Sequence, residues 1–298
     1  MTYWEKYVQP VRVEEALAAL AAAGGRGRVV AGGTDLLLDL QQGRQAPVEV
    51  LVDVAGIAEL QEIRIADGTA TVGAAATHAA IVRHPVLQAR AAALVEACGL
   101  IGGPQVRMVA TLGGNVAHAL PAGDGTVALL ALDAEAQLAS AGGRRWLPIS
   151  DLFAGPGRTT FDRAREVLVA FRFPLCSGGE SSAFARVMRP QGVAIAIFNM
   201  AIWMPVSPAG DISTVRLACG PAGPVPFRAM AAEQALAGQS WPIANWSAIE
   251  AALVDEARFR TSPHRATADY RRHLVGVVLH RLVVKAYYEA APSAAEMS

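Results

Sequence analysis

Apolar positions recur along this chain at two spacings, one helical and one alternating, and the switches between them divide it into segments. Between residues 13 and 23, Ala16, Leu17 and Leu20 fall on one helical face, and Gly24-Gly25 ends the run as a C-terminal cap would. Residues 28–31 read as a short strand that feeds a glycine pair. Thr34 or Asp35 then starts a short helix through Leu36, Leu37, Leu38 and Leu40. Residues 49–54 form a second buried strand, so the chain opens on a strand-helix-strand layer with its glycine turn at a strand's carboxyl end. Past Leu60 the alternation becomes antiparallel in character. Residues 62–66 and 69–73 flank Asp67-Gly68, a two-residue hairpin signal. Thr77 caps a short helix, and Pro85 opens a longer one through Leu87, Leu94 and Val95 that Gly102-Gly103-Pro104 breaks. A helix through Val127, Leu129, Leu130 and Leu132 follows, then strands at 137–140 and 144–149 about Ala141-Gly142-Gly143, and a last strand of this region at 166–173.

Residues 176–182, rich in Gly and Ser, read as a linker. Beyond it, extended segments at 183–188, 193–204 and 212–219 predict a three-stranded antiparallel sheet, followed by helices at 228–236, 246–257 and 267–290. The last helix is expected to bury Leu274, Val278 and Leu282 and to expose Arg271, Arg272 and Lys285. The chain is therefore expected to be α+β, with a first domain over residues 1–176, in subdomains of about 1–56 and 57–176, and a second over 177–298.

Charge narrows the classes of partner. Lys plus Arg and Asp plus Glu each number 26, so no global field favours nucleic acid or an anionic membrane, and any phosphate affinity must be local. Cys98, Cys176 and Cys219 are odd in number and scattered, which fits neither a disulfide framework nor a metal site. The N-terminus lacks a basic-then-apolar signal pattern, and the longest apolar run, 193–206, is too short to span a bilayer. A cytoplasmic protein is expected. A mean hydropathy of +0.31 reflects either alanine richness or surface buried against partner subunits.

The chemistry concentrates in two glycine pairs, Ala31-Gly32-Gly33-Thr34-Asp35 and Thr111-Leu112-Gly113-Gly114-Asn115. Each stands between apolar segments and reads as a tight turn whose backbone lets something approach. Amide groups at a glycine turn that opens a helix attract anions, so two such turns can hold a diphosphate between them. No G-x-G-x-x-G dinucleotide fingerprint, P-loop, G-x-S-x-G elbow or H-E-x-x-H helix occurs. Asp35 reads as a helix-start residue, Asp124 as a helix cap, and His118 as packing.

The order of these elements, with Asp124 after Pro121 and with Val225-Pro226-Phe227-Arg228-Ala229 and Arg265-Ala266-Thr267-Ala268-Asp269-Tyr270-Arg271-Arg272 later, resembles the flavin-binding subunits of the molybdenum hydroxylases, the xanthine dehydrogenase and aerobic carbon monoxide dehydrogenase family. The resemblance covers nearly the whole chain. It implies a vanillyl-alcohol-oxidase-type FAD domain of two subdomains and an α+β C-terminal domain. It also implies that Ala31, Gly32, Gly33, Thr34 and Asp35 hold the diphosphate of FAD, and that Thr111, Gly114 and Asn115 approach from the other side. Leu112 would be an apolar wall, and Asp124 an acceptor for sugar hydroxyls. The implied activity is oxidoreductase electron transfer without acid-base residues of its own. Electrons would come from a small partner with two [2Fe-2S] clusters, fed by a large partner with a molybdenum-pterin cofactor, and FAD would pass them to NAD+, a quinone or another acceptor. The implied assembly is a dimer of heterotrimers. Because iron-sulfur and molybdenum domains do not precede or follow the flavin region in this sequence, they are expected on separate chains. A self-sufficient flavoenzyme on the same fold and a cofactor-free structural subunit are the rival readings.

Overall fold

The computed structural model describes residues 2–189 and 195–291. The first layer is a parallel sheet of β1 (Trp4–Val8), β2 (Gly27–Val30) and β3 (Val48–Asp53) in the order β1-β3-β2. On it lies α1 (Val13–Ala22), whose Val13, Ala16 and Leu20 are buried one helical face deep, and Gly24 at φ +56° turns the chain after it. Strand β1 went unread in the sequence because its residues are mostly exposed and carry no apolar alternation. It is extended because it pairs with β3, Tyr7 opposite Leu51. Helix α2 (Leu36–Gln41) follows the first glycine loop.

The second sheet is antiparallel. It contains β4 (Ile63–Ala66), β5 (Thr69–Gly73), β6 (Glu135–Ser140), β7 (Gly143–Pro148) and, after a small hairpin of β8 (Phe153–Gly155) and β9 (Arg158–Thr159), β10 (Val167–Pro174). Asp67 at φ 48° and Gly68 at φ 72° make the β4-β5 turn, as the dipeptide predicts. The spatial order β4-β5-β10-β6-β7 puts the last strand of the region at the centre, which explains why Val167 to Phe171 are buried on both faces.

Helices α3 (Ala58–Gln61), α4 (His78–Arg83), α5 (Pro85–Arg90), α6 (Ala92–Leu100), α7 (Pro104–Arg107), α8 (Leu112–Ala117) and α9 (Asp124–Ala131) occupy the connections. The single helix expected after Pro85 is two, broken at Ala91, whose φ −149° and ψ 47° are not helical. The break lets Ala93 N donate to Ser182 Oγ across the molecule.

The third sheet is antiparallel in the order β11 (Glu180–Val187), β12 (Phe198–Pro205), β14 (Arg216–Gly220) and β15 (Phe227–Arg228). The three-stranded sheet expected from the sequence thus gains a two-residue fourth strand, and the pair β13 (Asp211–Ile212) and β16 (Gln239–Ser240) lies beside it. Val193 and Ala194, at the start of the expected middle strand, lie outside the described residues. Strand β12 has two buried faces: Met200, Ile202 and Met204 meet α10 (Met230–Leu236), α11 (Trp246–Glu256) and α12 (Ala268–Ala290), while Ala201 and Trp203 join the core of the preceding domain. That is why its sequence is apolar without alternation.

The expectation that Arg271 is exposed does not hold. It is 2% exposed, and its Nη1 donates to Pro221 O at 3.3 Å, because the turn after β14 lies against the first turn of α12.

Candidate functional site

Where β2 leaves its sheet, residues 31–35 cross the segment that leads into α8. The crossing is close: a Cβ on Gly32 would stand 2.2 Å from Val109 O, so only glycine fits there. Gly33 sits at φ +68°, which side chains rarely adopt. Among the described residues nothing accepts a hydrogen bond from the N–H groups of Gly32, Gly33, Thr34 or Asp35. These residues line a cleft of about 420 Å³. A row of amides left unbonded within the protein and lining a cleft is suited to an anion.

The second glycine pair behaves differently. Gly113 and Gly114 lie inside the first turn of α8, not in a turn before it. Leu112 N donates to Ala76 O at 3.1 Å, Gly113 N to Ala74 O at 2.8 Å, and Gly114 N to the capping Thr111 Oγ1 at 3.0 Å. These amides are spent on the fold, so the anticipated second set of diphosphate donors is absent at Leu112, Gly113 and Gly114. Gly113 is a packing glycine, its missing Cβ 2.5 Å from Ala74 O. Gly114 is exposed to the cleft, and a Cβ there would meet only Thr111 Oγ1, at 3.1 Å. Asn115 accepts from Thr126 N at 3.2 Å through Oδ1, which leaves its Nδ2 as a donor for the cleft it lines. Leu112 is fully buried in the core behind this wall and is not part of the cleft lining.

Asp124 lines the cleft as the first residue of α9, but both of its oxygens are engaged. Oδ2 accepts from Arg186 Nη1 at 2.5 Å and Oδ1 from Asn199 Nδ2 at 2.6 Å. Arg186 and Asn199 face each other across β11 and β12, so the pair ties the first domain to the third sheet. Burial pushes the Asp124 carboxyl up, and Arg186 and Asn199 work against that. Only its remaining lone pairs can meet a sugar hydroxyl.

Asp35 precedes α2 but does not cap it. Its carboxylate faces His118 instead, with Oδ2 at 3.5 Å from Nδ1, while Asp39 Oδ2 is 3.6 Å from Nε2. His118 therefore bridges α8 to α2 rather than merely packing. The hydrogen bond to Asp35 raises its pKa above the ordinary value, opposed by burial and by Arg163. The same bond lowers that of Asp35.

Sequence reasoning did not single out Arg28, His78, Arg163 or Arg186, all of which line the cleft. His78 is 1% exposed, and burial holds its pKa down to about 4, so it is neutral near pH 7. Its Nδ1 is 3.3 Å from Cys98 Sγ, and burial pushes that thiol's pKa up, out of reach of thiolate chemistry. Among the described residues the cleft holds free amides, cations, carboxylates and glycine surface, and no nucleophile paired with a base. It can bind an anionic nucleotide cofactor, and the reaction must then come from the cofactor.

Fold and cleft together define an α+β protein with a cleft suited to an anionic nucleotide cofactor. Residues 3–176 match the family model described as the FAD binding domain in molybdopterin dehydrogenase, and residues 182–286 match the CO dehydrogenase flavoprotein C-terminal domain. The chain belongs to the FAD-binding subunits of the molybdenum hydroxylase family, and it is an oxidoreductase subunit. It is 31% identical to the xanthine dehydrogenase FAD-binding subunit of Escherichia coli O157:H7, over 90% of this chain and 91% of that one. It is also 31% identical to the carbon monoxide dehydrogenase medium chain of Hydrogenophaga pseudoflava, over 96% and 98%. A solved carbon monoxide dehydrogenase from H. pseudoflava superposes with a TM-score of 0.90 at 31% identity, covering 96% of this chain and 98% of that one. Quinoline 2-oxidoreductase from Pseudomonas putida 86 gives 0.85 at 26%, covering 96% and 97%.

Proposed function

We propose that this chain is the electron-transfer subunit of a molybdenum-dependent dehydrogenase complex. Its FAD would take electrons from the [2Fe-2S] clusters of a small partner, which a large molybdenum-pterin partner supplies, and deliver them to NAD+, a quinone or another acceptor. The observation that carries this reading is the row of unpartnered amides at Gly32, Gly33, Thr34 and Asp35, open to the cleft between two loops that only glycine lets cross.

In this reading the first loop holds the FAD diphosphate. Gly114 offers a bare surface for close approach, and Asn115 Nδ2 donates from the opposite wall. Asp124, held by Arg186 and Asn199, closes the end next to the third sheet. The chain's own work is to bind and position, because its buried histidine is neutral and its buried thiols are protonated. We assign the FAD domain to residues 1–176 and the C-terminal domain to 177–298, and place the complex in the cytoplasm as a dimer of heterotrimers. Among the described residues no helix is long and apolar enough to cross a membrane.

Purification from the native host, with a visible spectrum and masses of co-purifying chains, tests the proposal. Flavin absorption together with one large and one cysteine-rich partner is the expected result. A colourless, solitary protein would overturn it.

A further inference from the structure

Two arginines on the cleft have no carboxylate partner within ion-pair distance among the described residues. Arg28 lies on β2, three residues ahead of the first glycine loop, and its Nε is buried without a hydrogen-bond partner. Arg163 reaches the cleft from the loop before β10. Its Nε donates to Thr159 Oγ1 at 3.1 Å and its Nη2 to Gly157 O at 3.0 Å. The β8-β9 turn that it grips is itself fastened just past α8, where Gly157 N donates to Ala119 O at 2.9 Å. The Arg163 guanidinium is therefore held in place with Nη1 left to donate.

The two cations see each other: burial lowers the pKa of both, and Arg28 lowers that of Arg163 further. Asp162 acts on Arg28 only as a nearby charge. The carboxylates on the cleft have partners of their own, Asp124 with Arg186, Asp39 with Arg44, and Asp35 with His118, which also faces Asp39. Two half-buried like charges without a carboxylate in ion-pair contact raise the free energy of the cleft. A ligand with two adjacent negative charges removes that penalty, and the neighbouring free amides are shaped for its oxygens.

We propose that Arg28 and Arg163 supply the counter-charge for the dinucleotide's diphosphate, so the cofactor completes an electrostatic site that the apoprotein leaves open. The inference rests on the reading that this cleft holds FAD. Arginine suits the task because its planar fork stays charged when partly buried and can grip phosphate oxygens in pairs.

The test uses Arg28→Gln, Arg163→Gln and the double variant in the purified complex, with the flavin removed reversibly. FAD and riboflavin, which carries no phosphate, are each titrated over a range of salt concentrations. Each single variant is expected to weaken FAD about tenfold, as loss of a charge-assisted hydrogen bond implies, and to flatten the dependence on salt. Riboflavin affinity should be unchanged, and Arg28→Lys should recover part of the loss. A double variant with unaltered FAD affinity and salt dependence would overturn the inference while leaving the flavoprotein reading intact. So would equal losses for FAD and riboflavin, which would mean that the arginines act through the fold. Failure of the unmodified complex to bind FAD would instead remove the functional proposal itself.

Discussion

The two glycine loops look alike in sequence and do opposite work in structure. At 31–35 the amides are free and line the cleft, whereas at 112–114 they are bonded to Ala76, Ala74 and Thr111. Each loop has one glycine that a neighbouring backbone demands, Gly32 against Val109 and Gly113 against Ala74. Beyond that, the first loop offers donors and the second offers bare surface at Gly114. A Gly-Gly pair reports that backbones come close, and the hydrogen-bond pattern around it decides whether a ligand is involved.

The comparison can be broken most forcefully at the two packing glycines. Gly32→Ala would set a Cβ 2.2 Å from Val109 O, and Gly113→Ala one 2.5 Å from Ala74 O. Neither obstacle is a flexible side chain, so each change should cost about 3 kcal/mol of stability, read from urea unfolding of the apoprotein. A cost below about 1 kcal/mol would mean that the loops do not cross this tightly.

Gly114→Val should separate binding from folding. The helical backbone accepts the residue, but the side chain enters the cleft where we propose that the cofactor lies. We expect flavin retention to be lost while the apoprotein's melting temperature stays close to that of the parent. A fully yellow variant would remove Gly114 from the site.

Thr111→Ala and Thr34→Ala form a sharper pair. Thr111 caps α8 through Gly114 N, so its loss should cost about 1 kcal/mol. Among the described residues the Thr34 side chain makes no hydrogen bond in the protein, so its replacement should leave apoprotein stability nearly unchanged. Equal costs from thermal or urea denaturation would erase the contrast between the loops.

The smallest effect expected is a pH dependence. A neutral imidazole donates from one nitrogen only, so His118 can serve both Asp35 and Asp39 only when protonated. Its raised folded pKa gives stability that is fully present below 6.5 and fades as pH rises through the folded value. The lowered pKa of Asp35 gives a share that is present above 3.8 and is lost as pH falls through its folded value. The side chain of Asp35 is 56% exposed, so solvent screens the pair and the whole contribution should be under about 1 kcal/mol. The stability advantage of the parent over His118→Gln should therefore be greatest below about pH 6.5 and shrink over the range above it. An advantage independent of pH over that window would mean that the bridge is steric.

Much of the architecture was legible along the chain. Helical spacing located α1, α11 and α12 within a residue or two, and Asp67-Gly68 located its hairpin, because these signals are local in the backbone. The glycine pairs marked where the cleft would form, and the order of motifs along the chain marked the family. Strand β1 was not legible, nor was the central place of β10, since both follow from pairing between distant segments.

The division of labour inside the site also came from the tertiary structure. Arg28 and Arg163 are 135 residues apart in number and carry no motif, and only the folded loops bring them to one cleft. Arg271 was expected outside because it is charged, yet it shares the helical face of Leu274, Val278 and Leu282, and the turn after β14 covers it. Leu112 was expected on the cofactor's side and points into the core, and Asp124 was expected to face sugars and meets Arg186 and Asn199. The sequence by itself determined the elements, the family and the places where backbones must approach, because residue type acts directly on local conformation. Which amides stay free and which charges lack a partner was decided only in three dimensions, because hydrogen bonds and ion pairs form between whatever groups the fold brings together.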